Sequence, residues 1–180
     1  MKNCFRAAAL VVAACTTLLT FAAQASDLQV GDPAPDFTLP ASDGKIYSLA
    51  DFSDRQAVII AWFPRAFTSG CTIECRSLAE NGHLLRPYAA TYFMASVDPI
   101  EQNIAFAEAQ NADFPLLSDE QKEVASAFGV LSPGGVARRW TFYIGADGRI
   151  LDIDRNVRPA TSAEDMAARL EALGIARSEF

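Results

Sequence analysis

The sequence is poor in the residues that many kinds of functional site need. Its 180 residues include one histidine and four cysteines, and 15 basic side chains stand against 22 acidic ones. No segment resembles a nucleotide-binding loop, a zinc cluster or a Ser/His/Asp set. The acidic excess gives the chain no electrostatic basis for binding nucleic acid or an anionic membrane.

Glycine and proline are not enriched, and repeats are absent. Ten glycines, nine prolines and 21% charged side chains argue against disorder and against a fibrous protein. There is no internal repeat and no low-complexity tract. Because 51% of the residues are hydrophobic, the chain can build a core, and its length favours one domain over two.

The N-terminal segment has the layout of a secretory signal peptide. A short basic start precedes an uncharged run over residues 7–23, and Ala23 and Ala25 form a small-x-small cleavage site. We therefore predict a signal peptide at 1–25 and one domain at 26–180. The protein is expected to be secreted, in a bacterium into the periplasm, with no stable membrane association after cleavage.

Two other interpretations of this segment stay open. A membrane anchor is less favoured, because the apolar run is at the short end for spanning a bilayer and a cleavage site follows it. Lipidation at Cys15 is the second, since residues 12–15 resemble a permissive bacterial lipobox. Residues 16–23 stay apolar, however, where a lipoprotein would have a polar tether.

Cleavage would leave an acidic chain with one close pair of cysteines. Without Lys2 and Arg6, 13 basic and 22 acidic side chains remain, a formal charge of −9. Only Cys71 and Cys75 remain of the four cysteines. A single close pair in an exported protein is not a disulfide scaffold and indicates chemistry.

Short apolar segments and segments of helical periodicity alternate along the domain. We predict strands at 37–39, 45–49, 57–63, 92–97, 140–144 and 149–153, and helical segments near 71–86, 100–107, 124–128 and 166–173. This alternation predicts an α/β domain with a central, at least partly parallel sheet. A reaction site is then expected where a loop leaves a central strand and enters a helix, as residues 63–71 do.

Cys71 stands at that expected helix start. The unpaired N–H groups and the positive dipole end of a helix N-terminus favour a thiolate. Thr68 is near enough for its hydroxyl to reach the thiolate or a bound oxygen, and Gly70 allows close approach of the backbone to a ligand. Each residue taken alone has a simpler explanation. Thr68 could be a helix cap, Pro64 a strand terminator and Cys71 a small buried residue. Their joint occurrence favours function.

The spacing Pro64-x-x-x-Thr68-x-x-Cys71 resembles the active-site motif of the peroxiredoxins. Further segments resemble that family in its order along the chain: 31–39, 62–64, 96–98, 114–119, 128–130 and 139–142. Together they are most similar to the bacterioferritin-comigratory-protein, or Q-type, group. The resemblance implies a thioredoxin fold, with a central mixed sheet flanked by helices.

The resemblance also implies roles for the motif residues. Cys71 corresponds to the peroxidatic cysteine, whose thiolate attacks a peroxide oxygen and becomes a sulfenic acid. Thr68 would hydrogen-bond both thiolate and peroxide, Pro64 would shield the thiolate from water, and the amides of Gly70 and Cys71 would hold substrate oxygens. Arg139 would stabilise the thiolate and the leaving oxygen.

The same resemblance implies the reaction partners. The substrates are hydrogen peroxide and organic hydroperoxides, the reductant is a thioredoxin-like or other thiol, and no cofactor or metal is implied. Arg139 is preferred to Arg138 because of its distance from Thr141 and Phe142. The oligomeric state is left open.

Cys75 departs from the Q-type pattern, in which the resolving cysteine usually comes five residues after the first. Residues four apart share a helix face, with Cβ atoms about 5–6 Å apart, whereas a disulfide needs about 3.5–4.5 Å. A bond between Cys71 and Cys75 would therefore require the first helical turn to unwind. We predict that Cys75 resolves the sulfenic acid; the alternative is a buried Cys75 and resolution by another thiol.

Two other classes of protein share part of this pattern. Cys-x-x-x-Cys is also the copper-binding motif of Sco-type assembly proteins, but those need a distant late histidine, and His83 is only eight residues beyond Cys75. We expect His83 to be a solvated helix residue. Thioredoxin-type oxidoreductases use Cys-x-x-Cys and a cis-proline, in whose place Trp140 stands here.

Overall fold

The computed structural model describes residues 27–178, and a five-stranded sheet lies at its centre. The strands are β1 (Thr38–Pro40), β2 (Ile46–Ser48), β3 (Ala57–Trp62), β4 (Ala90–Ser96), β5 (Leu116–Ser118), β6 (Trp140–Ile144) and β7 (Ile150–Asp154). The α-helices are α1 (Ser69–Asn81), α2 (Ile100–Gln110), α3 (Glu123–Ala127) and α4 (Ser162–Ala172). Short 3₁₀ turns are formed by Leu49–Phe52, Gly82–Leu84 and Pro159–Thr161.

The central sheet is mixed. Its order is β5-β4-β3-β6-β7, with β3, β4 and β5 parallel to one another and β6 antiparallel to both β3 and β7. Strands β1 and β2 form a separate antiparallel pair. The mixed sheet and its flanking helices confirm the expected thioredoxin fold.

Strand β3 separates two hydrophobic cores. Val58, Ile60 and Trp62 pack in one, and alternate residues such as Ile59 and Ala61 pack in the other. Every residue of β3 is buried because helices and loops cover both sheet faces. This explains its uninterrupted apolar sequence.

Two of the turns between paired strands contain a glycine with positive φ. Gly44, between β1 and β2, has φ +79°, and Gly148, between β6 and β7, has φ +75°. Residues with side chains rarely adopt this left-handed conformation, so glycine suits both turns.

The prediction of helix at 71–86 was wrong at both ends. Helix α1 begins at Ser69 and ends at Asn81, and Gly82 follows in a 3₁₀ turn. A Cβ atom at Gly82 would lie 2.7 Å from the hydroxyl oxygen of Tyr92. Glycine is therefore required here by the close approach of β4.

The predicted signal peptide lies outside the described residues. Within 27–178, no helix has the length and apolar character needed to cross a membrane.

Candidate active site

The loop between β3 and α1 places Cys71 in the first turn of a helix. Thr68 occupies the N-cap position, and the first helical hydrogen bond runs from the Thr72 amide to the Thr68 carbonyl at 2.9 Å. The amides of Gly70 and Cys71 precede that bond, so the helix itself offers them no acceptor. Cys71 is completely buried. Its sulfur is therefore shielded from bulk water, at the positive end of the helix dipole.

Arg139 contacts the sulfur of Cys71 directly. Its Nη2 atom donates to Cys71 Sγ at 3.1 Å, and only 20% of its side chain is exposed. The antiparallel pairing of Trp62 with Trp140 brings Arg139 beside the carboxyl end of β3. A guanidinium at this distance stabilises a thiolate over a thiol.

Arg138, the neighbouring arginine, points elsewhere. Its guanidinium is exposed, donates to the carbonyl of Gly129 at 3.0 Å and stacks over the ring of Trp140. Of the two adjacent arginines, Arg139 is the one that the structure brings to Cys71.

Glu74 is the third member of a largely buried cluster with Cys71 and Arg139. The sequence did not lead to this residue. It is completely buried and forms an ion pair with Nη1 of Arg139. Burial raises the pKa of Glu74 to about 7, against the opposite effect of the Arg139 guanidinium. The sequence did contain a signal: Glu74 is three residues after Cys71, on the helix face that also carries Cys75. A carboxylate on a buried face requires a cation.

The backbone at Gly70 lies close to the Arg139 guanidinium. A Cβ atom at position 70 would be 3.1 Å from Arg139 Nη2, the atom that contacts Cys71. The missing side chain thus makes room for the arginine.

Thr68 and Pro64 lie on the same loop, and the Thr68 hydroxyl is bonded away from the sulfur. The Thr68 hydroxyl donates to the carbonyl of Arg65 at 2.9 Å, and its side chain is exposed. It makes no side-chain cap, although it occupies the N-cap position. Pro64 is partly buried, two residues after β3 ends.

Cys75 lies on the buried face of α1, and both cysteines are free thiols. Burial raises the pKa of Cys75 to about 12, and the nearby Glu74 and Cys71 act in the same direction. Since a thiolate is the nucleophilic form of cysteine, Cys75 is unreactive while α1 keeps this shape.

His83 lies away from the cysteine pair. It is exposed, in the 3₁₀ turn after α1, rather than in the predicted helix. In the part of the chain that the structure describes, no group of three or more His, Cys, Asp or Glu side chains could hold a metal ion.

The chain matches a known family over most of its length. The model of the AhpC/TSA family matches residues 30–153. Peroxiredoxin Bcp of Escherichia coli (strain K12) is 36% identical over 130 residues, which cover 68% of this chain and 83% of the relative.

Solved structures show the same likeness. Peroxidoxin BcpB from Mycobacterium tuberculosis has a TM-score of 0.73 and 31% identity over 81% of this chain and 97% of its own. PrxQ of Xylella fastidiosa has a TM-score of 0.71 and 25% identity, and the match covers 83% of this chain and 99% of PrxQ.

The chain belongs to the AhpC/TSA family and is a peroxiredoxin, a thiol-dependent peroxidase. Within that family its relatives belong to the bacterioferritin-comigratory-protein, or Q-type, group.

Proposed function

We propose that the protein reduces hydrogen peroxide and organic hydroperoxides with the thiolate of Cys71. The contact that carries this assignment is the 3.1 Å hydrogen bond from Arg139 Nη2 to Cys71 Sγ at the start of α1. The sulfur attacks one peroxide oxygen, and the O–O bond breaks. Cys71 becomes a sulfenic acid, and the second oxygen leaves as water or an alcohol after taking up a proton.

Four groups around the sulfur assist this step. Arg139 stabilises the thiolate and then the charge that develops on the leaving oxygen. The amides of Gly70 and Cys71 donate to the peroxide oxygens. The Thr68 hydroxyl, now bonded to Arg65, turns toward the substrate when peroxide binds. Pro64 limits the access of water.

The sulfenic acid is resolved by Cys75. The Cys75 thiol displaces the sulfenic hydroxyl, which forms a Cys71–Cys75 disulfide and releases water. Because both sulfurs are buried on an intact helix, the first turn of α1 unwinds before they bond. Unwinding also exposes Cys75 to solvent, which removes the cause of its raised pKa. A thioredoxin-like dithiol then reduces the disulfide and is itself oxidised.

Intact mass and peptide mapping after one equivalent of peroxide test this assignment. The wild type should lose two hydrogens and yield one peptide pair joined through Cys71 and Cys75. Cys75→Ser should instead gain one oxygen, as a sulfenic acid that dimedone traps at Cys71. Oxidised wild-type monomer without the internal bond would refute resolution by Cys75.

We propose further that residues 1–25 direct export and that the enzyme acts in the periplasm. The basic start, the uncharged run and the cleavage site before Ser26 support this. The reductant is then an exported thioredoxin-like protein.

The copper-binding alternative is not favoured. The family of the chain is that of the peroxiredoxins, and the contact of Arg139 with Cys71 suits an anionic sulfur. His83, the chain's one histidine, is exposed in the turn after α1.

A further inference from the structure

A buried carboxylate beyond β4 holds the loop that leads to Cys71. Asp98 lies two residues after β4 and is 7% exposed. Its Oδ2 atom accepts a hydrogen bond from the backbone N–H of Ala66 at 2.8 Å. Ala66 is itself buried and comes two residues before Thr68. The contact therefore ties the middle of the β3–α1 loop to the neighbouring strand.

Buried side chains fix Asp98 in turn. Ser96 Oγ accepts from the Asp98 amide at 3.1 Å, and Ser118 Oγ donates to the Asp98 carbonyl at 2.7 Å. Ser96 also donates to Asn103, which donates to the carbonyl of Leu117. The carboxylate thus stands on a frame built from β4, β5 and α2, and Ser96, Asn103 and Ser118 are all buried.

The residue after Ala66 has a strained backbone. Phe67 has φ +63°, a left-handed conformation that a bulky side chain adopts only where its surroundings impose it. Its ring packs edge-on against the buried Phe106 of α2, with centroids 5.2 Å apart. Asp98 holds the loop at Ala66 through the backbone amide, and Phe106 contacts it at Phe67 through the ring. Asp98 and Phe106 both belong to the frame built from β4, β5 and α2.

We propose that Asp98 is a positioning residue for the peroxidase reaction, an inference that rests on the function proposed for Cys71. The side-chain oxygen of Asp98 accepts the Ala66 amide and so fixes the loop at that residue. The position of the loop in turn sets the direction in which the amides of Gly70 and Cys71 point. Asp98 acts through the backbone and does not touch the sulfur. A shift of about 1 Å in a reacting group can slow a reaction about a hundredfold, so a loop anchor has kinetic consequences.

Three variants separate positioning from general stability. Asp98→Ala should lower the rate constant for hydrogen peroxide at least about tenfold, as expected on loss of a hydrogen bond to a charged group. Asp98→Asn keeps an acceptor oxygen and should recover most of that loss. Ser42→Ala is the matched control. Ser42 Oγ also accepts a hydrogen bond from a backbone amide, that of Leu116 at 3.0 Å. This bond lies at the end of β5 that is farther from Asp98. Ser42→Ala should react at the wild-type rate.

Hydrogen exchange at the Ala66 amide gives a readout that does not depend on activity. This amide should be protected in the reduced wild type and in Ser42→Ala, and exchange freely in Asp98→Ala. A wild-type rate in folded Asp98→Ala, or an unprotected Ala66 amide in the wild type, would overturn the proposal. If Asp98→Ala does not fold, the wild-type exchange and the Asp98→Asn kinetics decide. Failure of the wild type to reduce peroxide would instead refute the proposed function, and Ala66 exchange would still test the anchor.

Discussion

Arg139 is held between Cys71, Glu74 and the backbone of Gly70, and this crowding makes Gly70 a sensitive position. Alanine would place its Cβ 3.1 Å from the nitrogen that contacts the sulfur. We expect Gly70→Ala to displace the guanidinium and to lower the rate of peroxide reduction roughly tenfold, the loss of about one charge-assisted hydrogen bond. Stopped-flow kinetics with the purified variant measures this.

The stability of the same variant shows whether its lower rate is caused by unfolding. Alanine favours helix over glycine by up to about 1 kcal/mol, so Gly70→Ala should unfold at no lower temperature than the wild type. Gly134→Ala is the control, because its added Cβ would meet nothing closer than Ser132 Oγ at 3.7 Å. Equal peroxide rates for Gly70→Ala and Gly134→Ala would contradict the role of this contact.

The buried Glu74 makes stability depend on pH. Burial raises its pKa from about 4.5 to about 7, so between these values the folded chain holds a proton that the unfolded chain has lost. The stabilisation is complete below about pH 4.5 and is lost as pH rises through about 7. Relative to Glu74→Gln, the wild type should lose about 1.4 kcal/mol in free energy of unfolding per pH unit in this window.

Denaturant unfolding of both proteins at about pH 5 and about pH 7 measures this difference. Glutamine keeps the size of the side chain and has no proton to lose, so pH effects from other groups cancel in the comparison. A difference that stays constant with pH would show that Glu74 titrates alike in the folded and unfolded chains.

The motif in the sequence led to Cys71, Thr68, Pro64, Gly70 and Arg139, but not to Glu74. Glutamate on a helix is usually exposed, and the helix face that Glu74 shares with Cys75 does not by itself show that position 74 is buried. Its burial follows from the packing of α1, and its partner Arg139 comes from the β6 end of the sheet, 65 residues away. Such a pair becomes visible only when the two elements are placed together.

At the scale of elements, the turn that follows α1 packs closely against β4. Gly82→Ala would set a Cβ 2.7 Å from the hydroxyl oxygen of Tyr92, closer than such atoms can approach. We expect this variant to lose about 1–3 kcal/mol in free energy of unfolding, the usual cost of overpacking. Thermal or denaturant unfolding gives the value.

A second substitution tests that explanation. Tyr92→Phe removes the hydroxyl, so the double variant Gly82→Ala/Tyr92→Phe should be less destabilised than the sum of the two single changes. Additive losses would show that the clash with Tyr92 is not the cause.

Six of the seven strands were predictable, but β5 and the helix ends were not, because the three residues Leu116–Ser118 are too few to show a strand pattern. The apolar run that became β3 marks a strand covered on both faces. The prediction carried α1 on to residue 86 because Pro87 was the next strong helix terminator. The helix ends at Asn81, and the close approach of Tyr92 to Gly82 just beyond it is a contact with another element that no local pattern records.

At the scale of the whole molecule, the N-terminal segment predicts export. Expressed with its own N-terminus in Escherichia coli, the protein should be found in the periplasmic fraction with Ser26 as its first residue. N-terminal sequencing and intact mass measure this. Ala25→Arg should block cleavage, because the site requires a small residue at that position.

Two other results would contradict this prediction. Full-length chain in the cytoplasm would exclude a working signal peptide. A membrane-bound form that carries a lipid on Cys15, and becomes soluble in Cys15→Ser, would show that the lipoprotein interpretation is right.

Apart from β5, the order of strands and helices could be predicted from the sequence, whereas the assembly of the site could not. The contact between Arg139 and Cys71 depends on the antiparallel register that pairs Trp62 with Trp140. A register slip of one residue would turn Arg139 to the other sheet face. The resemblance to a known family indicated the arginine, and the geometry shows which atoms meet.

The reaction of Cys71 with peroxide is the central claim, and its rate constant tests it most directly. Reduced protein without residues 1–25 is mixed with hydrogen peroxide or cumene hydroperoxide, and thiol loss is followed by stopped flow, with Cys71→Ser and Cys75→Ser alongside. Rapid loss in the wild type and in Cys75→Ser, and none beyond that of a free thiol in Cys71→Ser, is the predicted result. A wild type no faster than a free thiol, or a Cys71→Ser variant as fast as the wild type, would contradict the account.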